Sequence, residues 1–183
     1  MLVLALVVII AVASVYAAFY VPRNAASQLT TSTAYEADAS AVVADVVRQS
    51  PGGYVASSSA ALKPSLQDSS SVAYVILGRT ASTANVTVIV FERVVSAQGY
   101  FDRFRSSIQG LPGYTDISGT LTAYQKYGAC YGYGEDVDGI GVAAAICTKG
   151  NVFLQVHLTS SNDFSSVEAD LTTLMAAVYG SVG

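Results

Sequence analysis

Two cysteines, one histidine and a short acidic cluster are the residues of this sequence whose chemistry calls for a partner. Cys130 and Cys147 are its only thiols. Between them lies Asp138-Gly139, a strong hairpin signal because a two-residue type I′ turn needs positive φ at both central positions. Pairing outward from that turn sets Cys130 directly opposite Cys147. Counting from the closing pair Val137/Ile140 makes them a non-hydrogen-bonded pair, with Cα atoms about 4.5 Å apart, at the short end of what a disulfide accepts. The alternative is two buried free thiols; a metal site lacks a second pair of ligands nearby. A bridge here would stabilise the fold by about 3 kcal/mol, and it points to an oxidising compartment. The same register places Gly132 opposite Ala145 and Gly134 opposite Ala143, on the cysteine side. That side is nearly free of bulk, so a helix of this chain or a neighbouring subunit could approach closely. Tyr131 and Tyr133 point the other way.

The remaining polar residues do not assemble a reaction. His157 lies in the alternating strand Val152–Leu158, on the face of Phe153 and Gln155, and reads as a half-exposed structural histidine rather than a general base. No nucleophile elbow, phosphate loop or His/Cys metal spacing is present. Glu135, Asp136 and Asp138 cluster at the hairpin tip without the spacing of a calcium loop, so they read as a solvated turn. No catalytic residue, metal ligand or cofactor is assigned, and an enzyme is not expected. Asn85-Val86-Thr87 is an N-glycosylation acceptor sequence, which makes Asn85 a candidate modification site in an exported chain. Asp102, Arg103 and Arg105 read as the solvent face of a helix.

What must position these residues begins with an apolar stretch. From Met1 to Pro22 there is no charge, and the first charged residue is Arg23. As a helix those residues span roughly 33 Å, enough for the hydrocarbon core of a bilayer. Leu2, Leu4, Leu6, Val8, Ile9, Ile10 and Val12 surround that helix with no polar stripe, so lipid or other apolar helices must cover it. A cleavable signal, a single-pass anchor and an assembly helix are the three fates. The missing basic flank argues against the first. Net charge is −4 and only 12% of residues are charged, so no basic patch points to nucleic acid.

Asn24–Ser32 reads as a kink or linker after Pro22. A Thr33-x-x-Glu36 capping pattern then opens a helix over about 34–49, ended by Pro51-Gly52-Gly53. Tyr54–Ser71 is Ser-rich and reads mostly as loop. Val72–Leu77 and Asn85–Phe91 predict a hairpin. Phe101, Phe104 and Ile108 mark a helix over 97–109, which Ser96 can cap. Strands are expected near 119–127, 128–136, 140–148 and 151–158, then a last helix carrying Val167, Leu171, Leu174 and Val178. The expected fold is therefore α+β: a long N-terminal apolar helix, then a single domain with a mainly antiparallel sheet and two covering helices. Its organisation reads as a hydrophobic helix at 1–22, a linker and second helix at 23–53, and an extracytoplasmic domain at 54–183.

The uncharged N-terminal stretch, with Pro22 at its end and a second helix, sheet and two-cysteine bridge beyond, resembles the type IV pilin family, bacterial and archaeal. Ala5 stands where bacterial members carry a glutamate, closer to the archaeal pattern. The resemblance covers about fifty residues. It implies a subunit inserted in the membrane before assembly, then polymerised with copies of itself in an extracellular filament through residues 1–22, displaying the domain for adhesion. The rival expectation is a single-pass anchored extracytoplasmic binding domain or an accessory subunit of a membrane complex.

Overall fold

The computed structural model describes residues 37–126, 128–162 and 164–183. Helix α1 (Ala39–Gln49) leads into a short 3₁₀ turn (Pro51–Gly53) and a three-strand meander, β1 (Val55–Leu62), β2 (Ser69–Arg79) and β3 (Ser82–Phe91). Helix α2 (Val94–Ile108) then crosses to the far edge, where β4 (Thr115–Asp116) and a 3₁₀ turn (Ser118–Leu121) precede a second meander. That meander is β5 (Cys130–Val137), β6 (Ile140–Lys149) and β7 (Val152–Ser160), followed by α3 (Phe164–Gly180). Among the described residues the strands form one seven-stranded sheet ordered β1-β2-β3-β7-β6-β5-β4, every pairing antiparallel.

The expected architecture needs correction. Three described helices, not two, pack on the sheet, and they take both faces. Residues Ala39, Val42, Val43 and Val46 of α1 and Val167, Leu171, Leu174, Met175 and Val178 of α3 are buried in one core with Ala73, Val75, Val86, Val88, Leu154 and Val156. The opposite core joins Ala97, Tyr100, Phe101, Phe104 and Ile108 of α2 to Val72, Ile89, Ile146 and Phe153. Strand alternation explains the division, because successive residues of β2, β3, β6 and β7 feed opposite cores. Spacings of three and four along each helix then deliver one apolar stripe to the sheet. No described helix is long and apolar enough to cross a membrane. The apolar stretch 1–22, with Leu2, Leu4, Leu6, Val8, Ile9, Ile10, Val12 and Pro22, lies outside the described residues, as does the Thr33/Glu36 capping pattern.

Helix α1 opens at a different cap. Asp38 is extended (φ −112°, ψ 126°), and its carboxylate accepts from the Ser40 amide at 2.8 Å, satisfying one of the amides the first turn leaves unpaired. The Ala39 amide donates to Ser71 Oγ of β2 at 3.0 Å, which fixes the helix start to the sheet. Thus α1 is part of the domain's core. Two expectations fail. Residues 55–62, read within a loop, form edge strand β1. Residues 119–127, read as a strand, hold a 3₁₀ turn whose Leu121 is buried beneath α3.

Candidate functional site

The hairpin β5–β6 turns at Asp138-Gly139, with φ of 53° and 79°, and Asp136 Oδ1 accepts from the Gly139 amide at 3.0 Å. Both central residues take the positive φ that a type I′ turn requires. Val137 pairs with Ile140 and Cys130 with Cys147. The two sulfurs are bonded, and the Cα atoms lie 4.2 Å apart, the close spacing of a non-hydrogen-bonded pair. Along the cysteine face, small residues admit bulk from elsewhere. A Cβ on Gly134 would stand 2.7 Å from the Phe164 ring, and one on Gly141 2.6 Å from Val167 Cγ2. At Gly132 it would meet Leu121 at 3.0 Å. The close-approaching backbone is therefore α3 together with the 3₁₀ turn of the same chain.

Tyr131 and Tyr133 point to the α2 side, their rings stacked 6.1 Å apart. Tyr114 meets Tyr133 edge-on at 5.3 Å, and the Arg105 guanidinium lies 5.4 Å from the Tyr131 ring centre. Burial, with Tyr114 and Tyr131 as neighbours, pushes the Tyr133 phenol well above the ordinary tyrosine range, so it stays protonated.

The hairpin acids do not converge. Strand alternation sends Glu135 and Asp136 to opposite faces, and Asp136 is engaged by the turn. Among the described residues no three acidic, histidine or cysteine side chains are placed to share a metal ion. The structure thus breaks up the hairpin cluster and joins the disulfide pair.

A feature that sequence reading missed lies on the α2 side of the sheet. Register sets Ile76 beside Asn85, Asn85 beside His157, and His157 beside Ala144. The neighbouring rank runs Tyr74, Thr87, Gln155. The next runs Gly78, Thr83, Thr159. Directly opposed side chains on one face lie about 5 Å apart, so Thr83, Asn85 and Thr87 of β3 with Gln155, His157 and Thr159 of β7 make a continuous polar strip, extended onto β2 by Tyr74. Thr83 and Asn85 are exposed, whereas Tyr74, Thr87, Gln155, His157 and Thr159 are half-buried. The signal was present as alternating polar residues in β3 and β7, but it acquires meaning only once those strands are neighbours.

The strip carries hydroxyls, amides and one imidazole, and no charge. It can donate to and accept from a neutral polar ligand, but it pairs no nucleophile with a base. Asn85, the glycosylation candidate, sits inside it, and a glycan there would cover His157. His157 Nε2 is sealed from solvent with no hydrogen-bond partner among the described residues. Burial holds its pKa below the ordinary histidine value, because desolvation penalises the charged ring. The sign follows from linkage: an unfolded chain takes a proton near pH 6.5 that the folded one resists. Stability should therefore be fully present above about pH 6.5 and decline below it, by at most about 1.4 kcal/mol per pH unit. Urea midpoints between pH 7.5 and 5 measure this. His157→Gln should remove the slope in that window, while Asp68 and Asp116, whose pKa values are lowered, act only near and below about pH 4.

On the far side of the sheet a second polar cluster has a structural role. Asp170 of α3 accepts from the Tyr54 hydroxyl at 3.1 Å and pairs with Arg79 of β2. Arg79 also donates to the Gly52 carbonyl at 3.0 Å and lies over the Tyr54 ring. This ties α3 to the hairpin that carries β1.

The sequence matches no protein-family model and no curated protein, and nothing in these comparisons identifies a pilin family. Among solved structures the chain is similar to the extracellular domain of PknH from Mycobacterium tuberculosis. The match has 13% identity, covers 79% of this chain and 92% of that one, and has a TM-score of 0.44. At that level it carries no argument about this chain.

Proposed function

We propose that this chain is a membrane-tethered extracytoplasmic binding domain, held by its apolar residues 1–22 and presenting the polar strip of the sheet. The observation that carries the reading is the start of α1. Asp38 is an extended N-cap, so α1 cannot continue a helix arriving through residue 38. A cap of this kind suits a domain hung on a tether. Support comes also from the 22-residue stretch without charge, which is long enough to span a bilayer. The Cys130–Cys147 bond adds support, since such bonds persist in oxidising compartments. The strip's uncharged donors and acceptors suit a neutral hydroxyl- or amide-bearing ligand rather than a nucleic acid.

The second reading is the filament subunit, with residues 1–22 bundled among copies of themselves. It rests on the absence of any charge in that stretch. One experiment separates the two. Val8→Asp in the full chain should move it from the membrane fraction to the soluble one under the tether reading, because a mid-span carboxylate costs roughly 3 kcal/mol or more in the bilayer. Negative-stain microscopy of unaltered cells should then show no filaments that an antibody to this domain decorates. Decorated filaments lost on Val8→Asp would establish the filament instead.

A further inference from the structure

The two edges of the sheet are unlike. At one, β4 has two residues, a length that offers little for another strand to join. At the other, β1 has eight, Val55-Ala-Ser-Ser-Ser-Ala-Ala-Leu62, paired on one side only among the described residues. It contains no charge and no proline. Those are two of the devices by which natural edge strands refuse a partner; a third, a bulge, is present in β1 at Ser57. Its two large residues, Val55 and Leu62, are 66% and 47% exposed, so the apolar side chains at both ends of the edge are left in water.

A bulge puts those two on the same face. Val55 pairs with Gly78 and Leu62 with Val72, while Ser57 is left out of the register between Ala56 and Ser58. Gly78 and Val72 are six apart on β2, which runs without irregularity between them, so their side of the sheet is shared. Val55 and Leu62, seven apart on β1, inherit that common face. Ser58 and Ala60 lie on it too, and Ala56, Ser59 and Ala61 on the other.

We propose that β1 pairs antiparallel with β1 of a second copy, about a two-fold axis through Ser59, joining two sheets into one. With the axis there, Ser59 faces its own equivalent, Ser58 faces Ala60, Ala56 faces Ala61, and Val55 faces Leu62. Every pair then matches face to face, and each Ser57 stays bulged. The pairing covers both exposed apolar residues at once, and it sets no like charges opposite each other. Lys63, the first charge beyond the strand, falls at opposite ends of the seam in the two copies. A one-strand seam is small beside standard interfaces. Its occupancy at low copy number therefore rests on the tethered reading, since confinement to a membrane raises effective concentration. The register itself rests on β1 alone.

Cysteine crosslinking in the full chain tests this. Under mild oxidation in membranes, Ser59→Cys should form an intermolecular disulfide, giving a reductant-sensitive species of twice the monomer mass. Leu62→Cys alone should stay monomeric, because the two Leu62 positions lie roughly 20 Å apart across the axis. Val55→Cys with Leu62→Cys should crosslink, and adding Ser59→Lys should cut that yield at least about tenfold by opposing two ammonium groups. Peptide mass analysis showing the native Cys130–Cys147 bond confirms that each variant is folded. Ser59→Cys remaining monomeric, crosslinking to a different protein, or reacting no faster than Leu62→Cys would overturn the proposal. Recovery in the soluble fraction would count against the tether instead, and the Ser59 crosslink at high concentration would still read the seam.

Discussion

Replacing Cys130 and Cys147 together by alanine is expected to lower the unfolding free energy by about 3 kcal/mol, and the midpoint by roughly 6–12 °C for a domain of this size. The bond closes a loop with a sequence separation of 17, whose freedom in the unfolded chain it removes. The native hairpin holds its two Cα atoms close already, at 4.2 Å, so the fold itself should persist without the bond. Cys147 is fully buried beside Leu154, its partner on β7. Paired alanines at these positions leave only a small void. Thermal unfolding with and without reductant checks this: reductant should lower the wild-type midpoint and leave the double variant unmoved. A wild-type midpoint insensitive to full reduction would contradict it.

The second large effect is expected at Gly134. A side chain there must displace the Phe164 ring, 2.7 Å from the position a Cβ would take, and the Val142 carbonyl oxygen, 2.8 Å away. The ring can turn; the carbonyl belongs to the β5–β6 ladder and cannot move without breaking it. Gly134→Val should therefore destabilise by about 3 kcal/mol. Adding Phe164→Ala should recover only part of that loss, because the clash with the backbone remains. Gly119, where an added Cβ meets nothing within 4 Å, supplies the control: Gly119→Ala should change stability by less than about 0.5 kcal/mol. Denaturant midpoints measure all three. Full recovery in the double variant would show that the ring alone sets the limit.

These two sites mark how far the sequence could be read. A turn that demands positive φ at Asp138 and Gly139 fixes the register of the strands beside it, so the cysteine pairing and the small-residue face were legible without tertiary information. The face was also readable as a place of close approach, but not its occupant. Phe164 and Val167 come from a helix over twenty residues further on, and no local pattern links them to Gly134 and Gly141. Strand β1 was illegible for a different reason. An edge strand exposed on both faces shows no alternation, and Ser57–Ser59 have the composition of a loop; only pairing with β2 makes them a strand. Residues 119–127 misled in the opposite sense. Thr120, Leu121, Thr122 and Tyr124 favour strands locally, but Leu121 is buried under α3, and the Tyr124 hydroxyl donates to the Thr172 carbonyl at 3.3 Å. Tertiary packing on α3 outweighed propensity there.

The polar strip was hidden because it is a property of the sheet and not of any strand. Asn85, Gln155 and His157 each look like the wet side of a half-buried strand. They become one surface because β3 and β7, sixty residues apart in the chain, are neighbours at the sheet's centre.

The most direct measurement of the account places the domain relative to the membrane. Lys63 is exposed just past β1, so Lys63→Cys in the full chain offers a thiol that a membrane-impermeant maleimide can reach from outside. The tethered extracytoplasmic domain predicts labelling of intact cells, to the same extent as after lysis, with the labelled chain sedimenting with the membranes. Labelling only after lysis would put the domain inside and contradict the account.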